Sequence, residues 1–109
     1  DPMATLSTHV LDTTTGRPAT GIAVRLADPS GTVLDEAVTD ADGRVRPLGG
    51  DLAPGDYRVT FATGDYFAAA GSAAFHPRVT VEFSVTDTDQ HYHVPLLLSP
   101  YGYTTYRGS

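Results

Sequence analysis

The sequence predicts an all-β domain folded as a sandwich of two sheets. Short segments in which apolar and polar residues alternate recur between turn-forming residues along the 109-residue chain. The clearest is 79–85, where valine and phenylalanine alternate with Thr80, Glu82 and Ser84. Apolar residues make up 40% of the chain and charged residues 18%, a composition typical of a protein with a packed core rather than of a disordered one.

Seven segments are predicted as strands because apolar residues recur at every second position or because the segment returns after a turn. In chain order they are 6–11, 22–27, 32–39, 57–62, 79–85, 91–98 and 103–106. Turn-forming residues separate them, most clearly Asp28-Pro29-Ser30-Gly31 and Asp40-Ala41-Asp42-Gly43, and Gly43 is expected at positive φ. The segment 65–74 differs, because it has five alanines and no β-branched residue. It is predicted to form one short helix.

Composition excludes several classes of function. The net charge is −6, and no cluster of basic residues is present to neutralise phosphates, so no nucleic-acid partner is expected. The absence of cysteine excludes disulfides and thiolate metal sites. The longest apolar run, 94–98, is too short to span a membrane. Asp1-Pro2-Met3 is interpreted as residues left from expression, with Met3 as the native start, and 4–109 as a single domain. On this interpretation the expected location is the cytoplasm.

Three histidines are candidates for chemistry because of their positions in strands. His91 and His93 are two residues apart and share one face of their strand, while Tyr92 and Val94 take the face toward the core. His9 lies in the middle of the first strand, where its backbone is held rigidly. A solvated sheet face explains such histidines equally well. A metal site is the less favoured alternative, since no cysteine is available and the nearby carboxylates fall in a predicted turn.

The C-terminal segment contains more histidine and tyrosine than is expected of a frayed chain end. Residues 91–109 read HYHVPLLLSPYGYTTYRGS, with four tyrosines between positions 92 and 106. We expect this segment to be folded and to form part of a site. A plain final strand, with Tyr106 as a packing residue, is the alternative.

These residues carry a resemblance to a known family. The segment LSTHVLD at 6–12, the Asp-Gly-Arg at 42–44 and the C-terminal HYHVPLLLSPYGYTTYRGS closely resemble the transthyretin-like 5-hydroxyisourate hydrolases, over nearly the whole chain. The final Tyr-Arg-Gly-Ser is the signature that distinguishes these enzymes from the carrier transthyretin. The resemblance implies a transthyretin-like (prealbumin-like) β-sandwich of two four-stranded sheets with one short helix.

The resemblance also implies an activity and a set of site residues. The activity is hydrolysis of 5-hydroxyisourate to 2-oxo-4-hydroxy-4-carboxy-5-ureidoimidazoline in urate degradation, by histidine-assisted attack of water and cleavage of a ring C–N bond, with no cofactor and no metal. His9, His93 and Arg44 match the catalytic residues, and His91 ranks second to His93. Substrate binding falls to His9, Arg44, Tyr106 and Ser109. The implied assembly is a homotetramer, a dimer of dimers with its sites at the dimer–dimer interface.

Two other functions remain as alternatives. A transthyretin-type carrier has the same sandwich and tetramer but a channel that binds a small ligand without chemistry. The polar residues His9, Arg44 and His93 and the terminal Tyr-Arg-Gly-Ser argue against it. A non-enzymatic β-sandwich interaction module is the second alternative, and a secretion signal would favour it.

Overall fold

The structure, a computed structural model, describes residues 4–109. The sequence interpretation of Asp1-Pro2-Met3 lies outside these residues. The described part of the chain forms nine strands and one helix. They are β1 (Thr5–Asp12), β2 (Arg17–Pro18), β3 (Ala23–Ala27), β4 (Val33–Val38), β5 (Arg44–Val45), β6 (Gly55–Phe61), α1 (Thr63–Ala69), β7 (Val79–Val85), β8 (His91–Leu98) and β9 (Tyr103–Thr105). The seven predicted strands are confirmed, with ends that shift by at most two residues.

The strands form two sheets, as predicted. One has the order β4-β3-β6-β7 and is antiparallel throughout. The other has the order β2-β1-β8-β9, and β5 adds a fifth, two-residue strand that pairs with β1. This sheet therefore has one strand more than the resemblance implied. The alternation of residues predicted neither β2 nor β5, because two residues are too few to show it. In this second sheet β1 and β8 run parallel, whereas their other neighbours are antiparallel.

The core lies between the sheets and is built mainly from alternate residues of β1, β3, β6, β7 and β8. Tyr57, Val59 and Phe61 of β6 face inward, opposite the inward residues of β1 and β8. These three residues share one face because side chains alternate along a strand. The largest fully buried side chains are Phe61, Leu6, Ile22, Leu26, Leu48, Leu96 and Leu98, followed by several valines. One face of the β1–β8 pair packs in this core, and its other face lies on the outside of the sandwich.

The helix α1 is shorter than predicted, because it begins at Thr63 and ends at Ala69 rather than at residue 74. Gly71 adopts a φ of +73° and its N–H donates to the carbonyl of Ala68, while Ser72 N–H donates to that of Phe67. This pair of bonds is a Schellman motif, which closes a helix at a glycine. Alanines on both sides of Gly71 favour helix, but the glycine stops it. No helix in residues 4–109 has the length and apolar character needed to cross a membrane.

Candidate active site

The parallel pairing of β1 with β8 brings two of the predicted site histidines to one outer face. Ser7 lies opposite His93, and His9 lies opposite Pro95 in the same register. Because side chains alternate along a strand, Ser7, His9 and His93 project from the same side of the sheet. His9 is two residues further along the neighbouring strand than His93, which places their Cα atoms about 8 Å apart for ordinary strand spacings. A small heterocycle fits between side chains at that separation.

Arg44 joins this face through β5. It lies opposite His9, on the side of β1 away from β8. The preceding turn is tightly held, because one carboxylate oxygen of Asp40 accepts hydrogen bonds of 2.9 Å from the N–H groups of both Asp42 and Arg44. The Arg44 N–H is the largest cause that holds the pKa of Asp40 below its usual value. The turn fixes where Arg44 leaves the sheet.

Gly43 is required in that turn. It has a φ of +73°, as the sequence predicted, and its carbonyl accepts the N–H of Val10 at 2.8 Å. A Cβ at this position would collide with the Val10 carbonyl oxygen and lie 3.1 Å from Pro18 Cβ. Glycine therefore satisfies both the backbone conformation and the close approach to β1. The Asp-Gly-Arg sequence is thus explained by the geometry that delivers Arg44.

The C-terminal segment reaches the same face from the β9 side. Gly108 bridges to His93, and its N–H donates to the His93 carbonyl at 2.9 Å. The register of β8 with β9 continues to this bridge, so Tyr106 lies opposite Pro95 and shares its face. Tyr106 is 56% exposed, and the exposed Ser109 follows directly after Gly108. The structure therefore folds this segment against β8, beside His93.

Arg107 points the other way and was not predicted as a site residue. Its guanidinium lies 4.6 Å from the centre of the Tyr92 ring, and Nη2 donates to Gln90 Oε1 at 2.5 Å. Tyr92 is a core residue, 4% exposed. Arg107 thus holds the C-terminal segment against the core. Its side chain faces the opposite side of the segment from Tyr106 and Gly108. The alternation of side chains along a strand predicts that Arg107 faces away from Tyr106 and Gly108. Treating Tyr-Arg-Gly-Ser as a single motif hides this difference.

The surroundings of His93 favour its neutral form, because they hold its pKa below the usual value. Partial burial is the largest cause of this lower pKa, and electrostatic interactions with Arg44, His9 and His91 lower it further. A hydrogen bond involving Ser7 opposes these effects. Nδ1 lies 2.7 Å from Ser7 Oγ, while Nε2 makes no hydrogen bond with any residue in the range 4–109. His93 therefore has one ring nitrogen held in place and the other available as a base.

His91 lies beside His93 but is engaged by its neighbours. Its Nδ1 is 2.6 Å from Thr5 Oγ1, and its Nε2 is 2.7 Å from the same Ser7 Oγ that His93 contacts. Both ring nitrogens are thus occupied within the sheet, whereas His93 keeps one free. Sequence reasoning did not select Ser7. Its position on the His9 face was visible, but its contact with both histidines depends on the pairing of β1 with β8.

His76 is not part of this cluster. Its ring stacks edge-on against Phe75 and Tyr103, with centroid distances of 4.9 and 5.1 Å. Among residues 4–109, no group of three or more His, Asp or Glu side chains is placed to hold a metal ion. The outer face offers an imidazole with one unengaged nitrogen beside a second histidine and a guanidinium. Such a group set can remove a proton from water and stabilise an oxyanion.

Comparison with known proteins agrees with this architecture. The family model described as HIUase/Transthyretin family matches residues 6–108. The 5-hydroxyisourate hydrolase of Caulobacter vibrioides is 50% identical over 115 residues, which cover 98% of this chain and 100% of the relative. The structure of Klebsiella pneumoniae 5-hydroxyisourate hydrolase superposes with a TM-score of 0.90 at 42% identity, covering 96% of this chain and 99% of the other.

A transthyretin is also similar in structure. Transthyretin from Sparus aurata superposes with a TM-score of 0.89 at 34% identity, covering 94% of this chain and 95% of that one. The predicted transthyretin-like sandwich is therefore confirmed. With a matching family model over nearly its full length and a relative at 50% identity, the chain belongs to the HIUase/Transthyretin family.

Proposed function

We propose that this protein is a 5-hydroxyisourate hydrolase. The substrate follows from the relatives, which carry that name and match at about 50% identity across nearly the whole chain. The single observation that supports the chemistry is the meeting of His9, Arg44 and His93 on one outer face, with Nε2 of His93 unengaged. A carrier for an apolar ligand has no need of this polar group at the centre of its site.

The proposed reaction begins with water between the two histidines. His93 accepts a proton from water at Nε2 while the water oxygen adds to a ring carbonyl carbon of the substrate. The carbonyl becomes an oxyanion, and the ring C–N bond then breaks, with the proton passing from the imidazole to the leaving nitrogen. The product is the ureido-imidazoline carboxylate. Each proton taken from water is returned to the product, so the histidine ends the cycle as it began.

Arg44 and His9 serve the substrate in this proposal. The guanidinium presents a planar pair of donors that match adjacent carbonyl oxygens, and its fixed charge stabilises the developing oxyanion. His9, opposite Arg44, orients the heterocycle and contributes to proton handling. Tyr106 and Ser109 close the site on the side of the C-terminal segment. Substrate binding is therefore assigned to His9, Arg44, Tyr106 and Ser109.

The proposed assembly is a homotetramer, a dimer of dimers with the site face at the dimer–dimer interface. The edge strands β7 and β9 lie along the same side of the sandwich, since residues of both line one shallow cleft with Tyr92 and Val94. Unpaired edges of this kind are ready to pair with a second copy. Tyr103, Tyr106, Tyr101 and Phe75 are large apolar residues that are 42% or more exposed. Light scattering on the purified protein measures the number of copies directly.

The decisive experiment follows the decay of the unstable substrate. 5-Hydroxyisourate is generated from urate with urate oxidase, and its ultraviolet absorbance is recorded with and without the protein. Fast decay that His93→Ala abolishes and His76→Ala retains supports the proposal, because only the first histidine lies on the site face. Decay at the spontaneous rate, from protein shown to be folded, rejects it. Ligand screening for a carrier is then the next step.

A further inference from the structure

A chain of hydrogen bonds runs behind His93, away from its free nitrogen. It links Thr5 Oγ1 to His91 Nδ1 at 2.6 Å, His91 Nε2 to Ser7 Oγ at 2.7 Å, and Ser7 Oγ to His93 Nδ1 at 2.7 Å. Ser7 is only 6% exposed, whereas His91 at the other end is exposed. These four side chains, from Thr5 to His93, are called the serine relay below.

When all four side chains of the serine relay are neutral, their protons can be arranged in two ways that form all three hydrogen bonds. Each neutral imidazole and each hydroxyl has one proton to donate. In the first state, His93 Nδ1–H donates to Ser7, Ser7 to His91 Nε2, and His91 Nδ1–H to Thr5. In the second state every bond is reversed, so that Thr5 donates to His91, His91 to Ser7, and Ser7 to His93 Nδ1. The direction of the whole chain therefore sets the tautomer of His93.

The tautomer decides what His93 offers to a substrate. In the first state Nε2 has a free lone pair and acts as a base. In the second state Nε2 carries the proton and acts as an acid. Hydrolysis needs both actions in turn, first on water and then on the leaving nitrogen. The serine relay connects the two forms without moving the ring.

We propose that Ser7 and His91 are positioning residues that switch His93 between base and acid by relaying a proton through the Ser7 hydroxyl. This inference rests on the proposed hydrolase function. As Nε2 takes a proton from water, the Nδ1 proton of His93 moves to Ser7 Oγ and the Ser7 proton moves to His91 Nε2. His91 is then an imidazolium that donates to both Thr5 and Ser7. When Nε2 protonates the leaving nitrogen, both transfers reverse, and no net proton is consumed.

The surroundings of His93 explain why the charge is moved. A positive charge on His93 is opposed by partial burial, by Arg44 on β5, by His9 on β1 and by His91 on its own strand. The C-terminal segment adds the phenol of Tyr106 and the guanidinium of Arg107, which lies over Tyr92 on the opposite face. No salt bridge among residues 4–109 involves any of the three site-face histidines. His91 is exposed, so water solvates an imidazolium there far better. Moving the positive charge from His93 to His91, across two hydrogen bonds, therefore lowers the free energy of the intermediate.

The test uses single-turnover decay of 5-hydroxyisourate with Ser7→Ala, Ser7→Thr and His91→Phe. We expect Ser7→Ala to lower the rate roughly 10- to 100-fold, the range for removing the hydrogen-bond partner that orients a metal-bound histidine. Ser7→Thr keeps the hydroxyl and should regain most of the lost rate. His91→Phe preserves a ring at an exposed position and should lose activity as Ser7→Ala does. Ser84→Ala is the matched control, because Ser84 also makes a side-chain hydrogen bond, of 2.7 Å to Asp56, in the other sheet.

A proton inventory distinguishes a relay from a merely structural serine. Rates in mixtures of H₂O and D₂O should give a curved plot for the wild type, since more than one proton moves in the step, and a straight line for Ser7→Ala and His91→Phe. A curved plot in either variant, or an unchanged rate in both, overturns the inference. If Ser7→Ala does not fold, His91→Phe alone decides. An inactive wild type is a different result, because it rejects the proposed function itself.

Discussion

The imidazole of His93 lies directly on the backbone of Gly108. A Cβ at Gly108 would be 2.5 Å from His93 Cδ2, 3.1 Å from Cγ of the same ring and 3.1 Å from Pro95 Cγ. The Gly108 N–H also donates to the His93 carbonyl at 2.9 Å. The glycine of the terminal Tyr-Arg-Gly-Ser is therefore the residue that lets the His93 ring pack directly against the C-terminal segment.

Gly108→Ala is expected to displace the His93 ring and to lower activity by at least tenfold. The added methyl must push the imidazole, which also strains its bond to Ser7, and such overpacking costs about 1–3 kcal/mol of stability. Gly102→Ala is the matched control, since a Cβ there would meet only Ser99 Oγ at an ordinary 3.8 Å. Turnover and thermal unfolding of both variants check this. Equal turnover in the two variants would show that the His93 ring tolerates the methyl.

His9→Ala and His93→Ala are each expected to lower turnover by about 10²–10⁴-fold, the usual contribution of general acid–base catalysis. Both side chains are on the outer face, so the fold should survive, as judged by circular dichroism. If the two histidines act on the same proton transfers, the double variant should be little worse than the poorer single variant. Full turnover in both single variants would contradict the site assignment.

Arg44→Gln is expected to raise the pKa of His93, because the positive charge of Arg44 is among the causes that hold it below 6.5. The pKa in the folded protein lies below that of the unfolded chain, so the unfolded state binds more protons and stability falls as the pH drops below 6.5. Removing the Arg44 charge weakens this loss and moves the acid limb of the activity to higher pH. Nuclear magnetic resonance titration of His93 measures the shift. Arg46→Gln, whose charge is not among those causes, should leave it in place.

The sequence predicted the part of the site that depends only on the alternation of side chains along one strand. Alternation in 91–98 put His91 and His93 on one face, and that placement is confirmed by their shared contact with Ser7. The contact itself was not predictable, because it requires β1 to pair in parallel with β8 in one register out of several. The helix end was missed for a related reason, since alanine propensity was counted across Gly71 although a single glycine is enough to stop a helix.

Arg107→Gln is expected to loosen the C-terminal segment rather than to remove a substrate contact. The guanidinium lies over the Tyr92 ring on the core side, so the variant loses an interaction worth about 0.5–1 kcal/mol at an exposed site. KM should rise roughly two- to fivefold, in line with that energy. The change in kcat should be smaller, because Tyr106 and Ser109 are proposed to bind substrate. The Gly108 amide should also exchange faster with solvent, as its strand pairing opens more often.

The hydrogen-exchange measurement separates this from direct recognition of the substrate by Arg107. If the guanidinium bound substrate, KM would rise while Gly108 exchange stayed as in the wild type. Arg58→Gln is the control, since its guanidinium lies 3.4 Å from Glu82 on the other sheet and should affect neither quantity. Gln90→Ala removes the 2.5 Å hydrogen bond to Arg107, together with a 3.1 Å bond from Gln90 Nε2 to Asp87 Oδ2, but leaves the guanidinium over Tyr92, so it should give a smaller effect of the same kind. A graded series in both KM and exchange therefore identifies Arg107 as the residue that fastens the site's last segment to the core.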